Sequence, residues 1–532
     1  MNNPLIYTSM EFGLRDDIHT YSGGLGVLAG DAMKSASDLG YDMIGIGMLP
    51  DLGYFDQRIV DGQQVEDFVP CGSREKLVEG PSVKVRLRGN DITVSSRRYD
   101  VKGQERQGKV CVVPVYFLST NNEQNTSEGR MITSKLYSGD RLGQEVVLGI
   151  GSMRLVEALG YDPATVHVHM NEGHSAFAVL EKLRRTGNIE KVRETSTFTT
   201  HSLVAGHDVW DYGDARHALD GLLPANIQEL AGHSHLNMTT LAHGGSRIMN
   251  AVSKRHRQEA KRYYGDDVLS VTNGVHPYTW TSPEFQALYD AELPGWRLDP
   301  SVLSGTSRID KAKVAAAHRA AKQRVIDYVY DISGVRFDID VPVLTWARRV
   351  VPYKRQTLLF RDMKRLKSIL KGRWQVIYAG KAHPYYDEAK EMIATSIKCL
   401  AELKGAGINA VYLENYGMEM CSMLTAGSDV WLNTPMIPLE ASGTSGMCAA
   451  LNGVPHLSTQ DGWWPEGYEE GVTGWAIGGS ESDDERDADN LYHKLETISN
   501  SDIVGVGCGA IKKNGCVFTT ERMDKEYAAN VW

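Results

Sequence analysis

Short apolar runs recur through the second half of the chain, at 341–346, 374–379, 409–413, 429–432 and 454–457, and the stretches between them space their apolar residues at helical intervals. Continuous apolar strands alternating with helices predict a parallel sheet covered on both faces. The first half is less regular, but 111–118, 166–170, 195–201 and 268–273 read as buried strands, several of them ending in polar residues. Residues 310–330, rich in Ala, Lys and Arg and free of Gly and Pro, predict a helix near the connection between the halves. Past about Gly478 the chain turns polar, and SESDDERDAD predicts a solvated loop before a last helical segment.

The fold class that follows is α/β, with two Rossmann-like domains over 1–272 and 273–478 and a tail over 479–532 that packs back across them. Ligands in open sheets of this kind sit beyond the carboxyl ends of the strands, so the polar strand ends and the cleft between the halves are the expected active site.

Composition acts by exclusion. The 532 residues are 42% hydrophobic and 23% charged, with a net charge of -10, which argues against nucleic acid or an anionic membrane as a general partner. The N-terminus has no basic start followed by a long apolar run, and no stretch approaches a membrane span, so a cytoplasmic protein is expected. The cysteines at 71, 111, 399, 421, 448, 508 and 516 form no CxxC pair, and most read as reduced core residues.

Three segments could catch an anion. In YSGGLGVLAGDAMKSASDLG, Gly23, Gly24 and Gly26 precede a helix with Leu25, Leu28, Ala32, Ala36 and Leu39 on one face; the loop either exposes N–H groups to phosphate or is a tight turn with close helix packing. In EASGTSGMCAALNG, Ser442, Gly443 and Thr444 line a helix start directly after Glu440, as anion donors or as simple caps. WARRVVPYKR brings Arg348, Arg349, Lys354 and Arg355 to a strand end, to neutralise a leaving group or to form a solvated basic loop. HVHMNEGH carries His167, His169, Glu172 and His174, and TTHSLVAGHD adds His201 and His207; satisfied polar or core histidines fit these as well as a metal does, and no metal is expected.

Taken together with EFGLRDDIHT, GYFDQ, VTNGVHPYTW, AGKAHP, DVWLNTP and DGWW, these segments resemble, in order from residue 11 to about 466, the glycogen/starch (α-glucan) phosphorylase family in its short bacterial and archaeal form. The resemblance implies a GT-B fold and retaining glucosyl transfer. It makes Gly24, Arg349 and Lys354 the phosphate grip, and Glu440, Tyr353, Ser442 and Gly443 the readers of sugar hydroxyls. Asn273 and His201 would touch the sugar, with the His201 carbonyl facing the developing positive charge. Thr444, Arg348 and Tyr416 would hold the phosphate of pyridoxal phosphate.

One position departs from the family. Where its lysine forms the Schiff base with pyridoxal phosphate, this chain has Cys448, so covalently bound cofactor is not expected. Loss of the cofactor predicts a donor that brings its own second phosphate: a nucleotide sugar such as UDP-glucose, held with its phosphates near Gly23, Gly24, Arg349 and Lys354 and near Thr444 and Arg348. His201, Arg349 and Lys354 are then the expected catalytic set, the first domain the acceptor side and the second the donor side. The acceptor is expected to be small, a nucleoside or another metabolite, and a homodimer is left open. Two alternatives stand beside this reading: an α-glucan phosphorylase with noncovalent pyridoxal phosphate, and a catalytically inactive glucan-binding protein.

Overall fold

The computed structural model of the protein describes residues 3–106, 108–201 and 208–532. It divides into two compact units: the chain through Tyr54 with Phe68–Thr272 and Met523–Trp532, and Phe55–Asp67 with Asn273–Arg522. The 479–532 tail belongs to the second unit through Arg522 and to the first unit from Met523 onward.

The second unit is built on six parallel strands in the order Ala410–Leu413, Gln375–Ala379, Val343–Ala347, Val430–Asn433, His456–Thr459, Gly474–Ile477. Every residue of Val343–Ala347 and of Gln375–Ala379 is buried, as a strand covered by helices on both faces requires. Alternate residues face two cores: Leu344, Trp346, Val376 and Tyr378 on one side, Val343, Ala347, Ile377 and Ala379 on the other. The helix predicted over 310–330 runs from Lys311 to Ser333. The Asp310 side chain accepts from the Ala312 N–H at its start, and Gly334 takes a left-handed conformation with φ 66° at its end.

In the first unit the parallel strands follow the order Val112–Ser119, Met43–Met48, Leu5–Ser9, His167–Asn171, Ser196–Thr199, Ile248–Ala251, Leu269–Ser270, and an antiparallel arm, Asn90–Lys102, extends the Val112–Ser119 edge. Helix Gly24–Leu39 lies in the core on one face of this sheet and helix Arg141–Ala158 in the core on the other. Both units share one topological consequence. Strand order reverses beside the first strand of each, between Leu5–Ser9 and His167–Asn171 and between Val343–Ala347 and Val430–Asn433. Loops leaving such a point diverge to opposite faces of the sheet and leave a crevice for a ligand. No helix among the described residues is long and apolar enough to cross a membrane.

Candidate functional site

The switch point of the second unit gathers most of the residues singled out from the sequence. Arg348 follows the first strand and is buried; it donates to the Leu432 carbonyl, its guanidinium lies 5.1 Å over the Trp346 ring, and its Nε has no partner. Burial pulls its pKa below the usual value, with the Glu440 carboxylate opposing that shift. Arg349, next in the chain, is exposed and makes no ion pair or hydrogen bond among the described residues. Such a free arginine at a strand end is available to an anion.

Lys354 and Glu440, expected to serve different ligand groups, form an ion pair with each other, both largely buried. The Lys354 ammonium also lies 5.0 Å over the ring of Tyr353, whose phenol is raised in pKa by burial and by the Glu440 charge. The loop is anchored from the other side of the switch point. Met436 N donates to Tyr353 O at 2.7 Å, Thr434 Oγ1 to Lys354 O at 2.8 Å, and Arg355, at φ 48°, reaches Thr434 O at 2.9 Å and Asp487 at 2.8 Å. Position, not bulk charge, is what this wiring supplies.

Glu440 is fixed at its backbone by Asp461, whose Oδ2 accepts the Glu440 N–H at 2.7 Å. Ser442 is buried with its hydroxyl unpartnered, Gly443 has φ 79°, and Thr444 precedes helix Ser445–Leu451 without capping it. Cys448 lies buried in that helix, and Tyr416, raised in pKa by burial, has Cys421, Arg348 and Cys448 around it. Asn273 is buried, with its backbone carbonyl accepting from Arg522 at 2.9 Å and its side-chain oxygen unpartnered.

The switch point of the first unit holds the rest. Glu172 sits at φ 75° and ψ 162°, a region almost reserved for glycine. Its carboxylate accepts from Gly173 N at 2.9 Å and from His201 N at 2.7 Å, while His201 Nε2 meets Asn171 Oδ1 at 2.7 Å. An amide oxygen only accepts, so His201 carries its proton on Nε2. Burial lowers the His201 pKa to about 3, which leaves the ring neutral. His167 and His169 are taken up by the hydroxyls of Thr197 and Thr199, as core groups rather than ligands. His207 lies outside the described residues. Gly24 is exposed at the start of helix Gly24–Leu39, but Gly23 donates its N–H to Glu11 rather than offering it to a phosphate.

Sequence reasoning passed over Glu11, Asp461 and His456. The first two are carboxylates just beyond strand ends, a signal that could have been read. His456 is buried beside Arg348 with no hydrogen-bond partner for either ring nitrogen, its pKa lowered to about 3 by burial and that charge. It lies so close to Gly446 that a Cβ there would fall 2.8 Å from its ring. Nothing in its local sequence marks it.

Two Rossmann-like units, each with polar and charged residues at its switch point, give the chain a GT-B fold. Residues 217–476 match the family model described as carbohydrate phosphorylase. The chain is 36% identical to a maltodextrin phosphorylase of Thermococcus litoralis over 98% of its own length and 70% of that protein, and 34% identical to a glycogen phosphorylase of Aquifex aeolicus, covering 93% and 79%. It is 32% identical to an uncharacterised protein of Methanocaldococcus jannaschii over 99% of both chains. The chain belongs to the carbohydrate phosphorylase family. This corrects the expectation of a nucleotide-sugar transferase: the named relatives are phosphorylases, and similarity along nearly the whole chain outweighs an inference drawn from one position.

Proposed function

We propose that the protein catalyses phosphorolysis of an α-glucan, releasing glucose 1-phosphate, with pyridoxal phosphate bound without a covalent link. The observation that carries the reading is the relation to phosphorylases over 98% of the chain, joined to cationic residues in place at the switch point, Arg348, Arg349 and Lys354. The fit to the cofactor is divided. Arg348, with a buried unpartnered Nε, together with Thr444 and Tyr416, suits a phosphate monoester; Cys448 offers no amine to the aldehyde. When bound, the cofactor would supply a phosphate able to exchange a proton with the substrate phosphate.

The chain's own residues do the remaining work. Arg349 and Lys354 hold the attacking phosphate, and Lys354 trades part of its pairing with Glu440 as that anion arrives. Glu440, with Ser442 and Gly443, reads sugar hydroxyls. The His201 N–H is held by the Glu172 carboxylate, and its carbonyl is the group assigned, on this reading, to the positive charge that develops at the anomeric carbon.

The test is production of glucose 1-phosphate from maltodextrin and inorganic phosphate, with and without added pyridoxal phosphate. Activity that needs added cofactor and is lost on dialysis is expected, and Cys448→Lys should make retention survive dialysis. No product under any cofactor condition would sink the reading.

A further inference from the structure

The glycine turn of the first unit already contains an anion. Glu11, two residues beyond strand Leu5–Ser9, is 3% exposed, and its carboxylate lies against the turn that precedes helix Gly24–Leu39. Oε2 accepts from the Ser22 N–H, from the Ser22 hydroxyl at 3.2 Å and from the Gly23 N–H at 3.1 Å. Oε1 accepts from the Tyr137 hydroxyl at 2.7 Å. Tyr137 is itself held in place, at φ 60°, with the Arg141 guanidinium 4.7 Å over its ring and His174 edge-on at 5.6 Å. The seat also explains a glycine. A Cβ at Gly26 would fall 2.8 Å from Glu11 Oε2 and 2.7 Å from the Cβ of Tyr21.

We infer that Glu11 is a positioning residue for phosphate. As an internal anion it takes the Ser22 and Gly23 donors, which leaves the N–H groups of Gly24, Leu25 and Gly26, none of them bonded among the described residues, for the substrate's phosphate. The inference rests on the proposed phosphorolysis. Its physical basis is that a turn of consecutive N–H groups offers an anion more than one place to sit. A fixed carboxylate fills the first place and repels a second anion from it, so the phosphate is confined to the helix start. Four donors satisfy Glu11, so its burial beside the site is tolerated.

Glu11→Gln keeps the shape and an oxygen for the Ser22 and Gly23 donors but removes the charge that keeps a second anion out of that place. Its expected effect is a rise of about tenfold in KM for phosphate, with KM for maltodextrin changed less than about twofold. Tyr137→Phe, which frees only one oxygen of Glu11, should raise the phosphate KM by a smaller factor. The double variant should be no worse than Glu11→Gln alone, because both act through one carboxylate. A loss of fold would instead move both substrates together.

Binding of inorganic phosphate to the full chain, followed by calorimetry without glucan, separates this inference from the proposed reaction. Wild-type binding without turnover, weakened by Glu11→Gln, would remove the reaction and keep the role of Glu11. An unchanged phosphate affinity in Glu11→Gln, additive effects of the two substitutions, or no phosphate binding by the wild type would overturn it.

Discussion

A lysine and a glutamate that are paired before any ligand arrives set a constraint on each other. Lys354 and Glu440 are both more than four-fifths buried, so removing one strands the other's charge in a medium that solvates it poorly. Lys354→Ala and Glu440→Ala are each expected to lower stability by about 3 kcal/mol, and the double variant by clearly less than the sum. Denaturant unfolding of the four proteins measures this, and strict additivity would show that the pair is not coupled. Both variants should also lose phosphorolysis, since each removes a ligand group. The residue types here were legible: basic side chains at a strand end and an acid before a Gly-Ser-Thr turn. Their pairing was not, because residues 86 apart in sequence meet only through the order of the strands.

At the scale of elements, five of the six parallel strands of the second unit could be read because their positions are apolar or buried, and their bounds fell within a few residues of those expected, whereas Gly474–Ile477 was missed. The antiparallel arm escaped. Val83–Leu87, VKVRL, alternates apolar and charged residues and carried a strand signal that was not taken up, while Asn90–Lys102, NDITVSSRRYDVK, is largely polar and half-buried and carries too few apolar positions for a period to stand out. The hairpin Asp56–Val60 and Gln63–Asp67 escaped for a different reason, since its contacts are amide to backbone. Gln57 Nε2 donates to Gly380 O at 2.8 Å and to Gln64 Oε1 at 2.9 Å, Gln57 Oε1 accepts from Asn415 N at 2.9 Å, and Gln64 Nε2 donates to Ala382 O at 2.9 Å. These carbonyls follow strand Gln375–Ala379, so the hairpin braces a loop beside Arg349, whose charge reaches His383. Gln57→Leu leaves the Gly380 and Asn415 groups without that buried partner and should cost about 2 kcal/mol. Thermal melting reads the loss, and a change under about 0.5 kcal/mol would mean that the brace is dispensable.

For the molecule as a whole, acid is the condition that strains both units together. His167 and His201 in the first unit and His456 in the second are held neutral by burial, with pKa values of about 4, 3 and 3. In the unfolded chain the same rings titrate near 6.5, as free histidine does. Between those values the unfolded chain binds protons that the native chain refuses, so stability is complete above about pH 6.5 and falls as the pH drops toward 4. Each such histidine adds up to about 1.4 kcal/mol per pH unit to that slope. Lys182 behaves alike at the other end: burial lowers it to about 7, and its burden on the fold shrinks as the pH rises from there toward 10. His456 is the ring to test, since it is buried beside the Arg348 charge and neither ring nitrogen has a partner at full hydrogen-bond geometry. Unfolding free energies of wild type and His456→Leu, measured by urea at half-unit steps from pH 4.5 to 7.5, should converge above pH 6.5 to a constant offset. Below it they should diverge by about one proton's slope in favour of the variant. Parallel curves across the whole range would mean that His456 takes up its proton in the native protein as readily as in water.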